Sequence, residues 1–184
     1  MTQELTGYSA IARLFHWSIA VLVLLMIPAG LVMVTEGLPR AIQNTLFIFH
    51  KNTGLVILFL VLLRFLYRKV NPPPSLPESL PGWQKKAAIL NHGILYVLLF
   101  LMPIAGYVRV KAGDFPIEAL DALGVPSLVP KSESLANFAS LVHATGAFLL
   151  IAFVSLHLLA AAYHGLVRRD GVVARMTRGR SGSA

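Results

Sequence analysis

The sequence predicts an all-α membrane protein, a bundle of four transmembrane helices. Hydrophobic residues make up 56% of the 184 residues and charged residues only 13%, and the mean hydropathy is +0.70. Soluble domains of this size are far more polar. The apolar residues are concentrated in residues 11–34, 46–67, 87–108 and 135–167. Each stretch is long enough to cross about 30 Å of hydrocarbon as a helix, and together they form one predicted domain, residues 8–176.

The first apolar stretch is predicted to be a membrane helix and not a secretory signal. It is longer than the apolar region of a signal peptide, it contains Arg13 and His16, and it lacks a small-residue cleavage site. Pro28 and Gly30 lie in its second half. At that depth, neighbouring helices can satisfy the backbone carbonyl that a proline leaves free.

The connections between the other stretches are rich in proline. Residues 71–81 contain five of the chain's eleven prolines, which predicts an extended strap without helix. Residues 109–134 form the longest polar segment, and three Xaa-Pro pairs argue against regular structure there. A loop of this length is either a lid or docking surface, or a passive connector. Pro103 and Gly106 predict a kink in the third helix, and we expect residues 177–184 to form a disordered tail.

Basic residues are divided unequally between the two sides of the membrane. One side, formed by the termini and the second connection, carries Arg13, Arg64, Arg68, Lys69, Lys85, Lys86, Arg168, Arg169, Arg175, Arg178 and Arg180. The other side carries Arg40, Lys51, Arg109, Lys111 and Lys131, together with five acidic residues. This asymmetry predicts that both termini are cytoplasmic. The net charge of +8 therefore reflects topology first and contact with anionic lipid second, and it does not indicate nucleic acid.

Histidines are the only side chains suited to hold a metal within the apolar stretches. The chain has no cysteine, which excludes thiolate ligands and cysteine-bound iron–sulfur clusters. Ionisable residues inside a bilayer are costly, so each one indicates a functional site. The six histidines are His16, His50, His92, His143, His157 and His164. A neutral imidazole can bind a haem iron through one nitrogen and donate a hydrogen bond through the other.

Depth in the membrane predicts which histidines meet. His143 and His157 are 14 residues apart on the fourth helix, a step of about 21 Å that returns to within about 40° of the same face. One helix can therefore offer ligands to two stacked b haems. The predicted pairs are His50 with His143 near the outer surface, and His16 with His157 near the inner surface. Iron with two histidine ligands has no open position, which favours electron transfer over oxygen activation.

Two histidines are left over at the cytoplasmic ends of helices. His164 is seven residues from His157 and nearly on the same face, so by depth alone it is a rival partner for His16. His92 and His164 could line a quinone or proton site, and the alternative is a structural role.

Smaller groups could complete the haem sites. Three glycines offer room for a porphyrin against helix backbones, namely Gly30, Gly54 and Gly146; ordinary helix packing is the alternative. Three cations could pair with haem propionates, namely Arg13 and Arg64 at the inner haem and Lys51 at the outer haem. For these cations, the alternative is that they snorkel or set topology.

Several segments together resemble the bacterial cytochrome b561 family. They are Arg13-Leu14-Phe15-His16-Trp17, His50-Lys51-Asn52-Thr53-Gly54, Asn71-Pro72-Pro73-Pro74, Met102-Pro103-Ile104-Ala105-Gly106 and Tyr163-His164-Gly165-Leu166-Val167-Arg168-Arg169-Asp170. The family shares its fold with the cytochrome b subunits of nickel–iron hydrogenases and formate dehydrogenases. The resemblance implies a di-haem b protein of the bacterial inner membrane in quinone-linked electron transport. It also implies ligand roles for His16, His50, His143 and His157, and His92 matches a histidine common in the third helix.

The resemblance leaves several functions open. Some members are similar to stand-alone quinone-linked oxidoreductases that oxidise superoxide, and others anchor a dehydrogenase or hydrogenase partner. The compact length favours a stand-alone protein. A cationic entry for superoxide could come from Arg40, Lys51, Arg109 and Lys111, although four acidic residues share the exterior loop. A metal-binding or transport protein without haem is the third class, and it predicts a colourless preparation.

Overall fold

The structure, a computed structural model, describes residues 7–178, and it is all-α over that range. Its helices are α1 (Ala10–Val32), α2 (Arg40–Val70), α3 (Gly82–Ala112), α4 (Glu118–Ala122), α5 (Glu133–Ala162) and α6 (Ala174–Thr177). A π-helical segment, Tyr163–Arg168, continues α5. The expected all-α fold is confirmed.

Four helices are long and apolar enough to cross a membrane. They are α1 with 23 residues, α2 and α3 with 31 each, and α5 with its π-helical segment, together 36. A helix of 31 residues spans about 46 Å, so these helices extend beyond the hydrocarbon. The apolar stretches of the sequence mark only the part of each helix that crosses the bilayer, and polar turns lengthen α2 and α3 at both ends.

Helix ends follow the local sequence. Ser9 and Ser132 cap α1 and α5, and each side-chain oxygen accepts a backbone N–H three residues on. Pro39 and Pro81 precede the first residues of α2 and α3, where the fixed φ of proline suits a helix entrance. The internal Pro28 leaves α1 continuous.

The long helices pack as two pairs. α1 packs on α2, α3 packs on α5, and α2 joins α3. Ile19 and Val23 of α1 meet Ile57 and Val61 of α2 in a small apolar core. Within the described residues, α5 makes no comparably close backbone packing with α1 or α2. The closest backbone packing is therefore within each pair and between α2 and α3.

The outward faces of the helices are apolar, as lipid contact requires. Leu14, Phe59 and Phe148 are 68%, 59% and 72% exposed, and only a few residues of each span are buried within the protein. Such a distribution is typical of a membrane bundle, in which lipid covers what water would cover in a soluble protein.

Two connecting segments form surface structures. Residues 71–81 contain no helix, as their prolines predict. The exterior loop, in contrast, contains the short helix α4, which the prolines did not predict. Asp121 accepts the backbone N–H of Ile117, and Ile117 is only 2% exposed. Burial of that side chain stabilises a helical turn that the local sequence does not encode.

The end of the described chain folds back on the bundle. The Arg175 side chain is buried and donates to Ser75 O at 2.7 Å, and Trp17 Nε1 donates to Met176 O at 3.1 Å. Thr177, the first residue of the predicted tail, ends α6. The rest of that tail from residue 179 lies outside the described residues.

Candidate functional site

The outer histidine pair joins α2 and α5. The imidazoles of His50 and His143 lie with their ring centroids 6.1 Å apart and their planes at 73°. Both rings are partly buried between the two helix pairs. The structure therefore brings together the two side chains that were predicted to share the outer haem.

His143 is oriented by α3. Its Nδ1 lies 3.0 Å from Met102 O, and as the donor in that bond it leaves Nε2 available to a metal, the arrangement typical of metal-bound histidines. A Cβ at Gly106 would lie 3.2 Å from His143 Cε1. The backbone of α3 thus contacts this ring from one side, through the Met102 carbonyl and Gly106.

His50 is held by α1 in a similar way. A Cβ at Gly30 would lie 2.9 Å from His50 Cε1, closer than carbon atoms pack. The buried Nδ1 of His50 has no hydrogen-bond partner within the described residues. A buried imidazole with a nitrogen that no described residue engages fits a metal-ligating role.

The inner pair joins α1 and α5, and α3 contributes a third ring. The centroids of His16 and His157 are 6.2 Å apart with planes at 75°. The His92 ring also lies against His157, with centroids 5.4 Å apart. The structure therefore brings the predicted inner partners together and adds His92 to the same cluster.

The histidine spacings fit a bis-histidine metal centre. If each nitrogen coordinates one ion from opposite sides at about 2 Å, the two ring centroids lie about 6 Å apart. Both observed separations, 6.1 Å and 6.2 Å, agree with that geometry. Within the described residues, α5 makes no close backbone packing with α1 or α2, so each histidine pair joins helices whose backbones lie apart. The residues present therefore fit two haems, one at each end of α5.

His164 has a different partner from His157. Its Nδ1 lies 2.6 Å from Asp170 Oδ2, and both side chains are largely buried, 14% and 13% exposed. The other carboxylate oxygen accepts the backbone N–H of Val172 at 3.3 Å. The structure thus places His157, and not its rival His164, beside His16. The π-helical segment turns His164 toward Asp170, a pairing that helix periodicity alone does not reveal.

Together with Arg68, Arg64 supplies positive charge near the inner cluster. Its Nε donates to Tyr96 Oη at 3.1 Å and its Nη1 to Ala12 O at 2.9 Å, and its charge acts on His16, His92 and His157. Arg13, the other predicted inner cation, donates from Nη1 to Thr177 O at 2.8 Å, and its buried Nε makes no hydrogen bond with any residue in the described range.

The two lysines near the outer histidine pair each form an ion pair with a carboxylate. Lys51 Nζ lies 2.7 Å from Glu118 Oε1, and it also donates to Pro116 O at 2.6 Å. Lys111 lies 2.9 Å from Asp121. These pairs neutralise two of the four cations that were predicted to attract superoxide.

Arg109, and not these lysines, places a positive charge near the outer histidine pair. Its charge acts on both His50 and His143. The sequence analysis considered Arg109 only as part of a general funnel. Its position three residues after Gly106, on the same face of α3, was a signal that it points to the outer site.

The predicted small residues have different neighbours. Gly54 and Gly146 pack against methionines, since a Cβ would lie 3.8 Å from Met26 Cε at Gly54 and 2.6 Å from Met102 Sδ at Gly146. Gly30 and Gly106 instead contact the two outer imidazoles. Gly106 was expected only to kink α3, but it lies four residues after Met102, just as Gly30 lies four after Met26. That repeated Met-to-Gly spacing was the feature of the sequence that could have indicated a shared role for Gly30 and Gly106.

Comparisons with known proteins agree with this arrangement. A family model described as prokaryotic cytochrome b561 matches residues 7–179. The curated protein cytochrome b561 homolog 2 of Escherichia coli (strain K12) is 30% identical over 169 residues, which are 92% of this chain and 90% of the relative. Cytochrome b561 homolog 1 of the same organism is 28% identical over 127 residues, 69% of this chain and 72% of that relative. The chain belongs to the prokaryotic cytochrome b561 family, and it is a multi-pass, haem b electron-transfer protein of the inner membrane.

Proposed function

We propose that the protein holds two b haems and transfers electrons between the two sides of the membrane. His50 and His143 would bind the outer haem, and His16 and His157 the inner haem. The observation that carries this proposal is the presence of two separate imidazole pairs, with centroids 6.1 Å and 6.2 Å apart, that share α5. A bound haem b supplies a one-electron couple, and two histidine ligands leave it no open position for oxygen.

We propose residues 8–176 as the haem-binding unit, with both termini in the cytoplasm. The orientation is supported by the basic residues that cluster at the end of the bundle formed by the termini and the second connection. Anionic lipid headgroups would contact the same cluster. The outer pair then faces the periplasm and the inner pair the cytoplasm.

The inner end is the proposed site of quinone chemistry. Conversion of a quinone to a quinol takes up two electrons and two protons, so its site needs groups that exchange protons with water. Two imidazoles at the cytoplasmic end are groups of that kind. His92 lies beside His157, and His164 is hydrogen-bonded to Asp170. Arg64 and Arg13 would bind the propionates of the inner haem.

The outer end is the proposed site of a periplasmic reaction partner. In the specific form of the proposal, two superoxide anions each give one electron and leave as dioxygen, and one quinone receives both electrons with two protons. Arg109 places a positive charge near both outer histidines, which would attract an anionic substrate to this end. The alternative is an anchor subunit that passes electrons between a dehydrogenase or hydrogenase partner and quinone, without chemistry of its own.

Spectroscopy on the purified protein tests the proposal. A reduced-minus-oxidised spectrum with b-type bands and two haems per chain is expected, and a colourless protein would refute it. Rapid mixing with superoxide or a quinol then separates the two functions. Haem reduction by superoxide in the isolated protein supports the oxidoreductase, whereas reduction only with a co-purified periplasmic partner supports the anchor subunit.

A further inference from the structure

We infer that Glu118 is a positioning residue for the outer haem, because it holds the Lys51 ammonium group and clamps α4 to the turn of α2 that follows His50. The inference rests on the proposed function, since it concerns the haem expected between His50 and His143. Glu118 belongs to the exterior loop and is remote in sequence from the residues it contacts.

Glu118 contacts both residues that follow His50. Its Oε1 lies 2.7 Å from Lys51 Nζ, and its Oε2 accepts a hydrogen bond from Asn52 Nδ2 at 2.8 Å. Asn52 Oδ1 in turn accepts the backbone N–H of Ala119 at 2.8 Å. One carboxylate and one amide therefore join the start of α4 to α2.

The segment that carries Glu118 is anchored on both sides. The preceding Ile117 is only 2% exposed, and Pro116 O accepts from Lys51 Nζ at 2.6 Å. After Glu118, Asp121 pairs with Lys111 at 2.9 Å. Movement of α4 away from α2 would expose Ile117 and break these bonds. These contacts hold the start of α4 in a fixed position against α2.

The charge of Glu118 balances the charge of Lys51. Burial raises the pKa of Glu118, but hydrogen bonds from Lys51, from its own backbone and from Asn52 outweigh burial and hold the pKa below its usual value. Glu118 is therefore an anion at neutral pH. Lys51 is only 14% exposed and Glu118 36%, so solvent screens the pair incompletely. The turn after His50 thus carries a matched pair of charges in place of an isolated cation.

Removal of the Glu118 charge should change the potential of one haem. An uncompensated Lys51 would stabilise the reduced, less positive state of the nearby haem. We expect Glu118→Gln to raise the reduction equilibrium constant of the outer haem about tenfold, which corresponds to about 59 mV for one electron. The inner haem, at the other end of α5, should keep its midpoint.

The test is a spectroelectrochemical titration of the haem-loaded protein in lipid nanodiscs. Glu118→Gln is close to isosteric, and its side chain can still form hydrogen bonds. Asp114→Asn is the matched control, because Asp114 pairs with Lys131 in the same loop and both side chains are exposed, 64% and 73%. Asparagine also tolerates the left-handed backbone of position 114, where φ is 62°. Glu118→Asp keeps the charge and should restore most of the wild-type midpoint.

The outcomes separate this inference from the proposed function. A shift of one midpoint in Glu118→Gln, with little change in Asp114→Asn, is the expected result. Two unchanged midpoints in Glu118→Gln, or an equal shift in Asp114→Asn, would overturn the role of Glu118 while leaving both haems in place. A wild-type protein with no outer haem would instead refute the proposed function, and haem content measured before the titration reveals that case.

Discussion

Gly30 of α1 lies in direct contact with the imidazole of His50 of α2. A Cβ at position 30 would lie 2.9 Å from His50 Cε1 and 3.4 Å from Nδ1. No methyl group fits there unless the ring moves. Position 30 therefore controls where the His50 imidazole can stand, although the two residues lie on different helices.

Gly30→Ala should displace His50 and weaken the outer haem. We expect the haem content to fall from two toward one per chain, and haem extraction with protein quantification measures it. Gly93→Ala is the control, since a Cβ at Gly93 meets nothing within 4 Å. Full haem content and an unchanged spectrum in Gly30→Ala would show that the contact has no role.

Gly106→Ala should have a milder effect on the other outer ligand. A Cβ would lie 3.2 Å from His143 Cε1 and 3.3 Å from Nδ1, so a ring shift of a few tenths of an ångström relieves the contact. That shift lengthens the hydrogen bond to Met102 O, which changes the basicity of the ligand. We expect both haems to be present and one midpoint to change. Gly93→Ala, on the same helix, should leave both midpoints unchanged, because a Cβ there meets nothing within 4 Å.

Asp170→Asn should impair quinone reduction and spare the haems. The carboxylate lies 2.6 Å from His164 Nδ1, and the amide would remove the negative charge beside the imidazole. Stopped-flow oxidation of the reduced protein by a soluble quinone should be slower, with two haems still bound. An unaltered rate would exclude this pair from the quinone site, and haem loss would indicate that His164 is a ligand.

Reporter fusions test the orientation of the bundle. A green fluorescent protein fused after residue 184 should fluoresce, and alkaline phosphatase at the same position should be inactive, because the basic clusters predict a cytoplasmic C-terminus. Fusion within residues 125–130 of the exterior loop should give the opposite results. An active phosphatase at the C-terminus would reverse the assignment of the inner and outer pairs.

The four membrane helices and the two histidine pairs could be predicted because both follow from the order of residues along the chain. Hydropathy gives the spans, and a constant rise and turn per residue give depth and face. His143 and His157 are on one helix, so their relative positions need no knowledge of helix pairing. The structure places His50 and His16 beside them.

Other contacts between helices could not be predicted in the same way. Gly106 meets His143 because α3 packs on α5, and Glu118 meets Lys51 because α4 folds onto α2. A single sequence does not state either pairing. The same reason explains why Lys51 and Lys111 were considered for a cationic entry, although ion pairs hold both of them.

The most direct test of the account is the haem content of single and double histidine variants. His50→Ala, His143→Ala and the double variant should each lose the same haem and keep the other, and His16→Ala and His157→Ala should lose the second haem. Loss of both haems in the His50→Ala/His143→Ala double variant would contradict the assignment of separate pairs. Loss of the inner haem in His164→Ala, with both haems kept in His157→Ala, would contradict the inner pair.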